Sequence, residues 1–119
     1  MLKIESAEVQ KRAHYRLGVI NQADESWAPS LVNYNKVIGI DPEFFKSQVS
    51  LRAAEVNYKL GDVDAAIKTL VQVEPSLRPA EKYDLHFIKG KCYDKQRQFK
   101  RAVMEYGQAL EVASENSMD

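Results

Sequence analysis

The chain has 119 residues, of which 45% are hydrophobic and 29% charged, so it has the size of one domain that can bury a core. Seventeen basic residues balance seventeen acidic ones, which gives no net field to hold a nucleic acid or an anionic membrane. One cysteine cannot form an internal disulfide, and neither a signal peptide nor an apolar run of about 18 residues is present. We therefore expect a cytoplasmic protein without membrane insertion.

Apolar residues recur three or four positions apart along the chain, as on one face of an α-helix. This spacing predicts six helices, at about 5–22, 27–40, 43–60, 63–74, 79–96 and 99–113. Asp41 is predicted as an N-cap followed by Pro42, and Gly61 as a left-handed C-cap followed by the N-cap Asp62. Because the connections are short, we expect antiparallel neighbours in an all-α fold.

The sequence repeats itself when it is shifted by 36 positions, and six columns keep their chemical character through three units. The columns are Gly18, Ala54 and Gly90; Ile20, Val56 and Cys92; Trp27, Val63 and Phe99; Leu31, Ile67 and Val103; Tyr34, Leu70 and Tyr106; and Val37, Val73 and Ala109. We expect the small column to let the two helices of a unit approach closely, while the large apolar columns fill the space beside them.

The third unit resembles the tetratricopeptide repeat, whose pattern is W-x2-L-G-x2-Y, then A-x3-F, then P. It has Gly90-x2-Tyr93, then Phe99 and Ala102-x3-Tyr106. The second unit keeps part of the pattern in Ala54, in YKLGDVDAAI from Tyr58 to Ile67, and in Ala66-x3-Leu70. The first unit keeps Leu17-Gly18, Tyr34 and Pro42. The departures are Asn21 and Ser30 in the first unit and His14, Ser50 and His86 in the Trp column.

This resemblance implies a right-handed α-α superhelix of three helix-turn-helix repeats, at about 11–46, 47–82 and 83–116. Together the repeats form a single domain over residues 1–119. Repeat arrays usually end in a capping helix with a polar outer face, but the last predicted helix keeps Val103, Leu110 and Val112. Either the chain is an excerpt of a longer array, or its open end packs against another copy as a homo-oligomer.

The repeat register gives structural roles to residues that otherwise suggest catalysis. His14 and His86 lie two periods apart, so we expect them to pack or cap within their own units and to hold no metal. Cys92 shares a column with Ile20 and Val56, which predicts a buried, inert thiol. Without a phosphate loop, a nucleophile elbow or metal-ligand spacing, we expect no enzyme and no cofactor.

The resemblance implies that the first helix of each repeat lines a concave groove that holds a peptide or helix of a partner protein. The implied groove residues are Arg12, Tyr15, Val19, Gln22, Gln48, Leu51, Glu55, Tyr58, Lys59, Asp84, Phe87, Lys91, Asp94 and Lys95. Tyr15, Leu51 and Phe87 are expected to form an exposed apolar ladder; alternatively they pack sideways between adjacent first helices. Charges of both signs beside the ladder predict a partner segment with an apolar stripe and mixed charge.

Two specialised partners are disfavoured. The carboxylate clamp that some tetratricopeptide repeats use for chaperone tails has no match at the corresponding positions, which are Tyr15, Val19, Arg52, Asp84 and Ile88. The basic residues between Lys89 and Arg101 are divided between helix faces, which argues against nucleic-acid binding. We therefore predict a scaffold or adaptor module for protein–protein interaction, with self-assembly through stacked or dimerised repeats as the alternative.

Overall fold

The computed structural model describes residues 3–117, with their side chains over 6–115, and this part contains six α-helices and no strand. The first pair of helices is α1 (Lys3–Ala23) and α2 (Trp27–Ile40), the second is α3 (Lys46–Leu60) and α4 (Val63–Val73), and the third is α5 (Lys82–Lys95) and α6 (Phe99–Ser117). Two 3₁₀ turns, Glu74–Ser76 and Pro79–Glu81, connect α4 to α5. The prediction of an all-α fold is confirmed, and the helices pack in adjacent pairs, α1 with α2, α3 with α4 and α5 with α6.

The turn between α3 and α4 is formed as the sequence predicts. Gly61 has φ +89°, a left-handed conformation in which a side chain would be strained, and it closes α3. Asp62 caps α4, because its carboxylate accepts a hydrogen bond from the backbone N–H of Ala65 at 3.2 Å. These two residues reverse the chain between α3 and α4.

The start of α3 was predicted wrongly. Asp41 ends α2 instead of capping α3: its N–H donates to the carbonyl of Val37, and its carboxylate accepts from Lys11 Nζ at 2.8 Å. The hydrogen bond from Lys11 lowers the pKa of Asp41 and satisfies the charge of a largely buried lysine. The chain then continues through a turn to Phe45, which has φ +45°, and α3 begins at Lys46.

Glycines at two positions bring the helices of a pair together. A Cβ on Gly18 would lie 2.6 Å from the ring of Tyr34, and one on Gly90 would lie 2.7 Å from the ring of Tyr106. The close approach expected for the small column is therefore present in the first and third pairs. In the second pair the column holds Ala54, whose methyl group is fully buried in the same core as Leu70.

Two hydrophobic cores lie at the joints between pairs. The first core joins α2 to α3 and contains Tyr34, Val37, Val49, Ala53 and Val56. The second core joins α3 and α4 to α5 and contains Leu51, Ala54, Val63, Ala66, Leu70, Val73, Leu77, Leu85, Ile88 and Cys92. The second helices α2 and α4 thus each pack on their own first helix and on the first helix of the next pair, as stacked repeats do.

Each histidine forms a side-chain hydrogen bond from the first helix of a pair to the second. His14 Nδ1 lies 2.8 Å from Asn33 Oδ1, and His86 Nδ1 lies 2.8 Å from Glu105 Oε1. The two pairs occupy the same register, since each histidine reaches the residue 19 positions further along the chain. The prediction that the histidines have a structural role within their units is confirmed.

Candidate functional site

A recess of about 340 Å³ opens where α1, α3 and α5 meet, and we name it the central recess. Its lining residues are Gln22, Gln48, Leu51, Arg52, Glu55, Glu81, Asp84 and Ile88. All of them except Glu81 lie on the first helices of the three pairs, because those helices share one side of the array. Five of them belong to the groove that the resemblance implies, whereas Arg52, Glu81 and Ile88 were absent from it.

A hydrogen-bonded glutamine forms one wall of the central recess. The side-chain oxygen of Gln22 accepts from the hydroxyl of Tyr34 at 2.6 Å and from Nη1 of Arg52 at 3.4 Å. Tyr34 is fully buried, so its hydroxyl holds Gln22 in place from inside the fold. Arg52 is thereby linked to α1 across the joint between the first two pairs.

The central recess carries more negative than positive charge. Glu55, Glu81 and Asp84 line it together with one cation, Arg52. Burial raises the pKa of Asp84, and the charges of Glu55 and Glu81 raise it further. The pKa of Glu81 is lowered instead, because the backbone N–H of Arg78 donates to its carboxylate at 2.8 Å. A positive group entering the recess would therefore be favoured.

Cations and aromatic rings meet beside the recess in a group that we name the lysine shelf, formed by Tyr58, Phe87, Lys91 and Lys95. The Nζ atoms of Lys91 and Lys95 each lie 5.0 Å from the ring centroid of Tyr58, and Lys91 also lies 5.4 Å from that of Phe87. Phe87 is 41% exposed and stacks on Tyr83 with centroids 6.1 Å apart. The shelf thus offers positive charge next to an exposed aromatic face.

A second, more apolar cavity lies at the other end of the array. Arg12, Tyr15, Arg16, Phe44 and Phe45 line a volume of about 310 Å³. The ring centroid of Tyr15 lies 6.2 Å from that of Phe44 and 5.3 Å from that of Phe45. The sequence analysis missed both phenylalanines because it placed them inside a helix, where the structure has a turn.

The expected apolar ladder is interrupted in the middle. Leu51 is only 9% exposed and belongs to the second core, which agrees with the alternative of sideways packing between first helices. Tyr15 is half-buried against the first core and the two phenylalanines, and only Phe87 offers a large exposed face. The groove residues therefore form separate charged and aromatic surfaces instead of a continuous apolar stripe.

The other residues of the implied groove are distributed around these surfaces. Val19 packs against the first core and is only partly accessible. Lys59 Nζ lies 5.6 Å from the ring centroid of Trp27, at the joint of the first two pairs. Asp94 is exposed on the last turn of α5, near Lys91 and Lys95 in the chain.

Cys92 is a core residue, as its column predicts. Its side chain is fully buried, and burial raises the pKa of the thiol to about 11 although Lys91 and Lys95 act in the opposite direction. Since the thiolate is the nucleophile, a thiol with this pKa is unreactive near neutral pH.

We expect Cys92 to resist alkylation by iodoacetamide at pH 8 in the folded protein and to react at once in 6 M guanidinium chloride. Burial both suppresses the thiolate and blocks the reagent. Mass spectrometry of the alkylated fraction over time measures the difference. Rapid modification under native conditions would show that α5 leaves the second core readily.

Residues 3–117 contain neither a metal cluster nor a membrane-spanning helix. No group of three or more His, Cys, Asp or Glu side chains in this range could hold a metal ion. Over the same stretch, none of the helices combines the length and the apolar character that crossing a bilayer requires.

A known repeat family matches the third helix pair. The tetratricopeptide repeat family matches residues 83–116, a range that contains nearly all of α5 and α6. No curated protein matches the sequence. The match therefore covers the third helix pair, and the packing of the six helices in three adjacent pairs is consistent with tetratricopeptide repeats.

Proposed function

We propose that the chain binds a segment of a partner protein in the groove formed by the central recess and the lysine shelf. Tetratricopeptide repeats generally serve as non-catalytic modules for protein–protein interaction. The observation that carries the proposal is the central recess, which combines an open volume with side chains from three consecutive first helices. A segment lying there would contact every repeat of the array at once.

The charges support a partner segment with one basic and one acidic side chain. The excess of carboxylates in the central recess favours an arginine or lysine of the partner, which would also relieve the repulsion between Glu55 and Asp84. The lysine shelf favours a carboxylate, and the exposed ring of Phe87 favours an apolar residue between the two. This pattern agrees with the mixed-charge partner that the sequence analysis predicts.

The helix geometry also fixes an approximate spacing. Lys91 lies seven residues after Asp84 on α5, a distance of about 10 Å at 1.5 Å per residue. An extended peptide advances about 3.3 Å per residue, so about three residues span this distance. The proposed partner motif therefore has a basic residue and an acidic residue about three positions apart, with an apolar residue between them.

Selection from a random 12-residue peptide library displayed on phage tests this proposal. We expect the selected peptides to be enriched in a basic and an acidic residue about three positions apart. Asp84→Lys should weaken their binding about 5- to 20-fold by fluorescence polarisation, and exchanging the basic residue of the peptide for glutamate should recover part of the loss.

A matched control is Glu111→Lys, which makes the same charge change on the exposed face of α6, and it should leave peptide binding unchanged. Enrichment without a basic residue, or equal losses for the two variants, would contradict a role for the central recess. Leu51 is unsuitable for this test because it is a core residue.

The alternative function, assembly of the chain with itself, is supported by a different surface. Phe99, Val103 and Leu110 on α6 are all more than half exposed, an apolar face that stacked repeats normally cover. This face lies outside the residues that line the central recess. Peptide binding and self-assembly can therefore be tested independently.

A further inference from the structure

The first helix exposes apolar side chains at positions that are buried elsewhere in the array. Leu17 and Ile20 on α1 are 47% and 54% exposed. Their equivalents in the second repeat, 36 positions later, are Ala53 and Val56, which are 3% and 0% exposed in the first core. The difference arises because α2 covers this face of α3, whereas no helix among residues 3–117 covers it on α1. We name Leu17 and Ile20 the head face.

The last helix also exposes apolar side chains at positions that are covered in the preceding repeat. Phe99 and Val103 on α6 are 52% and 70% exposed. Their equivalents on α4 are Val63, which is 8% exposed in the second core, and Ile67, which packs against that core. In this case α5 covers α4, whereas the part of the chain that the structure describes has no further first helix to cover α6. We name Phe99 and Val103 the tail face.

We propose that the tail face of one copy packs against the head face of a second copy, so that copies stack head to tail and continue the array. This inference rests on the self-assembly function given above as the alternative and not on the peptide groove. The joints between α2 and α3 and between α4 and α5 supply its template, since each packs a second helix on the next first helix. The proposed contact repeats this joint between two chains.

Polar contacts across the existing joints become ion pairs in the proposed one. Across the joint between α4 and α5, Gln96 Nε2 donates to Asp64 Oδ1 at 2.9 Å. In the contact between copies, the repeat register replaces Asp64 by Lys100 of one chain and Gln96 by Asp24 of the next. Side chains of opposite charge thus occupy the two positions, which favours this pairing over other orientations.

A second polar contact changes in the same way. At the joint between the first two pairs, Arg52 donates to Gln22. The register replaces Gln22 by Asp94 of one chain and Arg52 by Arg16 of the next, again with opposite charges. An arginine that reaches a carboxylate forms a stronger bond than one that reaches an amide oxygen.

The register also produces one unfavourable pair. It places Lys91 of one copy near Arg12 of the next, at the positions that Glu55 and Asp84 occupy at the joint between α3 and α5. That joint forms in spite of two like charges, so this pair does not prevent stacking. It does make association sensitive to salt, because two attractive pairs and one repulsive pair are screened together.

Head-to-tail contact has a symmetry that distinguishes it from a dimer. Two different faces meet, so each added copy presents a new free face, and the assembly grows without closing. A dimer formed by two copies of α6 would instead use the same face twice and stop at two chains. The number of chains in the assembly therefore separates the two arrangements.

Analytical ultracentrifugation with two blocked variants tests the proposal. The head-blocked variant carries Leu17→Glu and Ile20→Glu, and the tail-blocked variant carries Phe99→Glu and Val103→Glu, all at exposed positions. We expect the wild-type mass to rise beyond that of a dimer with concentration. Each blocked variant alone should stay monomeric, and their equimolar mixture should stop at a dimer, because only one pair of intact faces remains.

The control is Val71→Glu on α4, an apolar residue that is 54% exposed although the next repeat is present, and it should assemble like the wild type. Circular dichroism confirms that every variant keeps its helices. A head-blocked variant that dimerises alone would overturn the proposal in favour of contact between two α6 helices. A monomeric wild type at concentrations up to about 1 mM, where even weak contacts are populated, would overturn self-assembly altogether.

Charge reversal gives a second measurement that needs no change in the apolar faces. Lys100→Asp is expected to weaken association about 3- to 5-fold, and adding Asp24→Lys to the same chain should restore it. Equal losses in the single and double variants would show that these residues do not meet. Binding of the selected peptides to the monomeric blocked variants reports on the groove separately, so failure of one proposal leaves the other intact.

Discussion

Replacing Gly18 with alanine is expected to lower the free energy of unfolding by about 2 kcal/mol. The added Cβ would lie 2.6 Å from the ring of Tyr34, which is fully buried and held by its hydrogen bond to Gln22. Overpacking a rigid core costs roughly 1–3 kcal/mol, and this site falls at the upper end because the ring cannot move away. The higher helix propensity of alanine offsets about 1 kcal/mol of this cost, which leaves the net loss of about 2 kcal/mol.

Urea denaturation followed by circular dichroism measures this change, and two other glycines give its controls. Gly107→Ala on α6 meets no atom within 4 Å, so it should stabilise the protein by up to about 1 kcal/mol. Gly90→Ala meets Tyr106 at 2.7 Å, but that ring is only partly buried and can shift, so its cost should be smaller than that of Gly18→Ala.

The second repeat suggests a second substitution that should compensate for Gly90→Ala. Combining Gly90→Ala with Tyr106→Leu recreates the pair Ala54 and Leu70, which are both fully buried in the second core. We expect the double variant to be more stable than the sum of the two single changes predicts, by about 1 kcal/mol.

A Gly18→Ala variant as stable as Gly107→Ala would contradict close packing of α1 on α2.

The second large effect is expected for Leu51→Glu, which should destabilise the fold by about 3–5 kcal/mol. Leu51 is 9% exposed in the second core, where its loss removes apolar contacts with α5 and leaves a charge without a partner. The nearby carboxylates of Glu55 and Asp84 add repulsion to the new glutamate. Thermal unfolding at neutral pH should therefore show a large decrease in melting temperature.

Gln48→Glu is the matched control for Leu51→Glu. Gln48 also lines the central recess, about one helical turn before Leu51, but its side chain is exposed. The same new charge should change the stability by less than about 0.5 kcal/mol at this position. If Leu51→Glu were equally mild, Leu51 would belong to the accessible surface of the groove, and the ladder expected from the sequence would be restored.

Leu51 shows why the repeat pattern alone could not define the groove. The resemblance assigns Leu51 to the concave side, and in the structure the residue lines the central recess. Whether such a side chain is accessible depends on how closely the next first helix approaches, and that distance is set by packing between repeats. Ile88, which contacts the same core and also lines the recess, was missed for the same reason.

The repeat pattern also did not predict the cavity-lining residues that lie outside the regular helices. Glu81 reaches the central recess from the 3₁₀ turn before α5, a segment that the sequence analysis placed inside a helix. Phe44 and Phe45 form part of a cavity because the chain turns after Asp41, whose carboxylate accepts from the backbone N–H of Glu43 and also from Lys11, 30 positions away. Local signals such as Asp-Pro cannot reveal a long-range partner of this kind.

The helical fold, the three-unit register and the structural roles of the histidines and Cys92 could be predicted from the sequence, because they follow from the periodicity of side chains along the chain. The start of α3, the accessibility of the groove residues and the position of the lysine shelf beside the acidic recess required the tertiary structure. Exposure and electrostatic environment depend on which helices pack against a residue, whereas helix formation depends on residues a few positions apart and the repeat register on a fixed period of 36 positions.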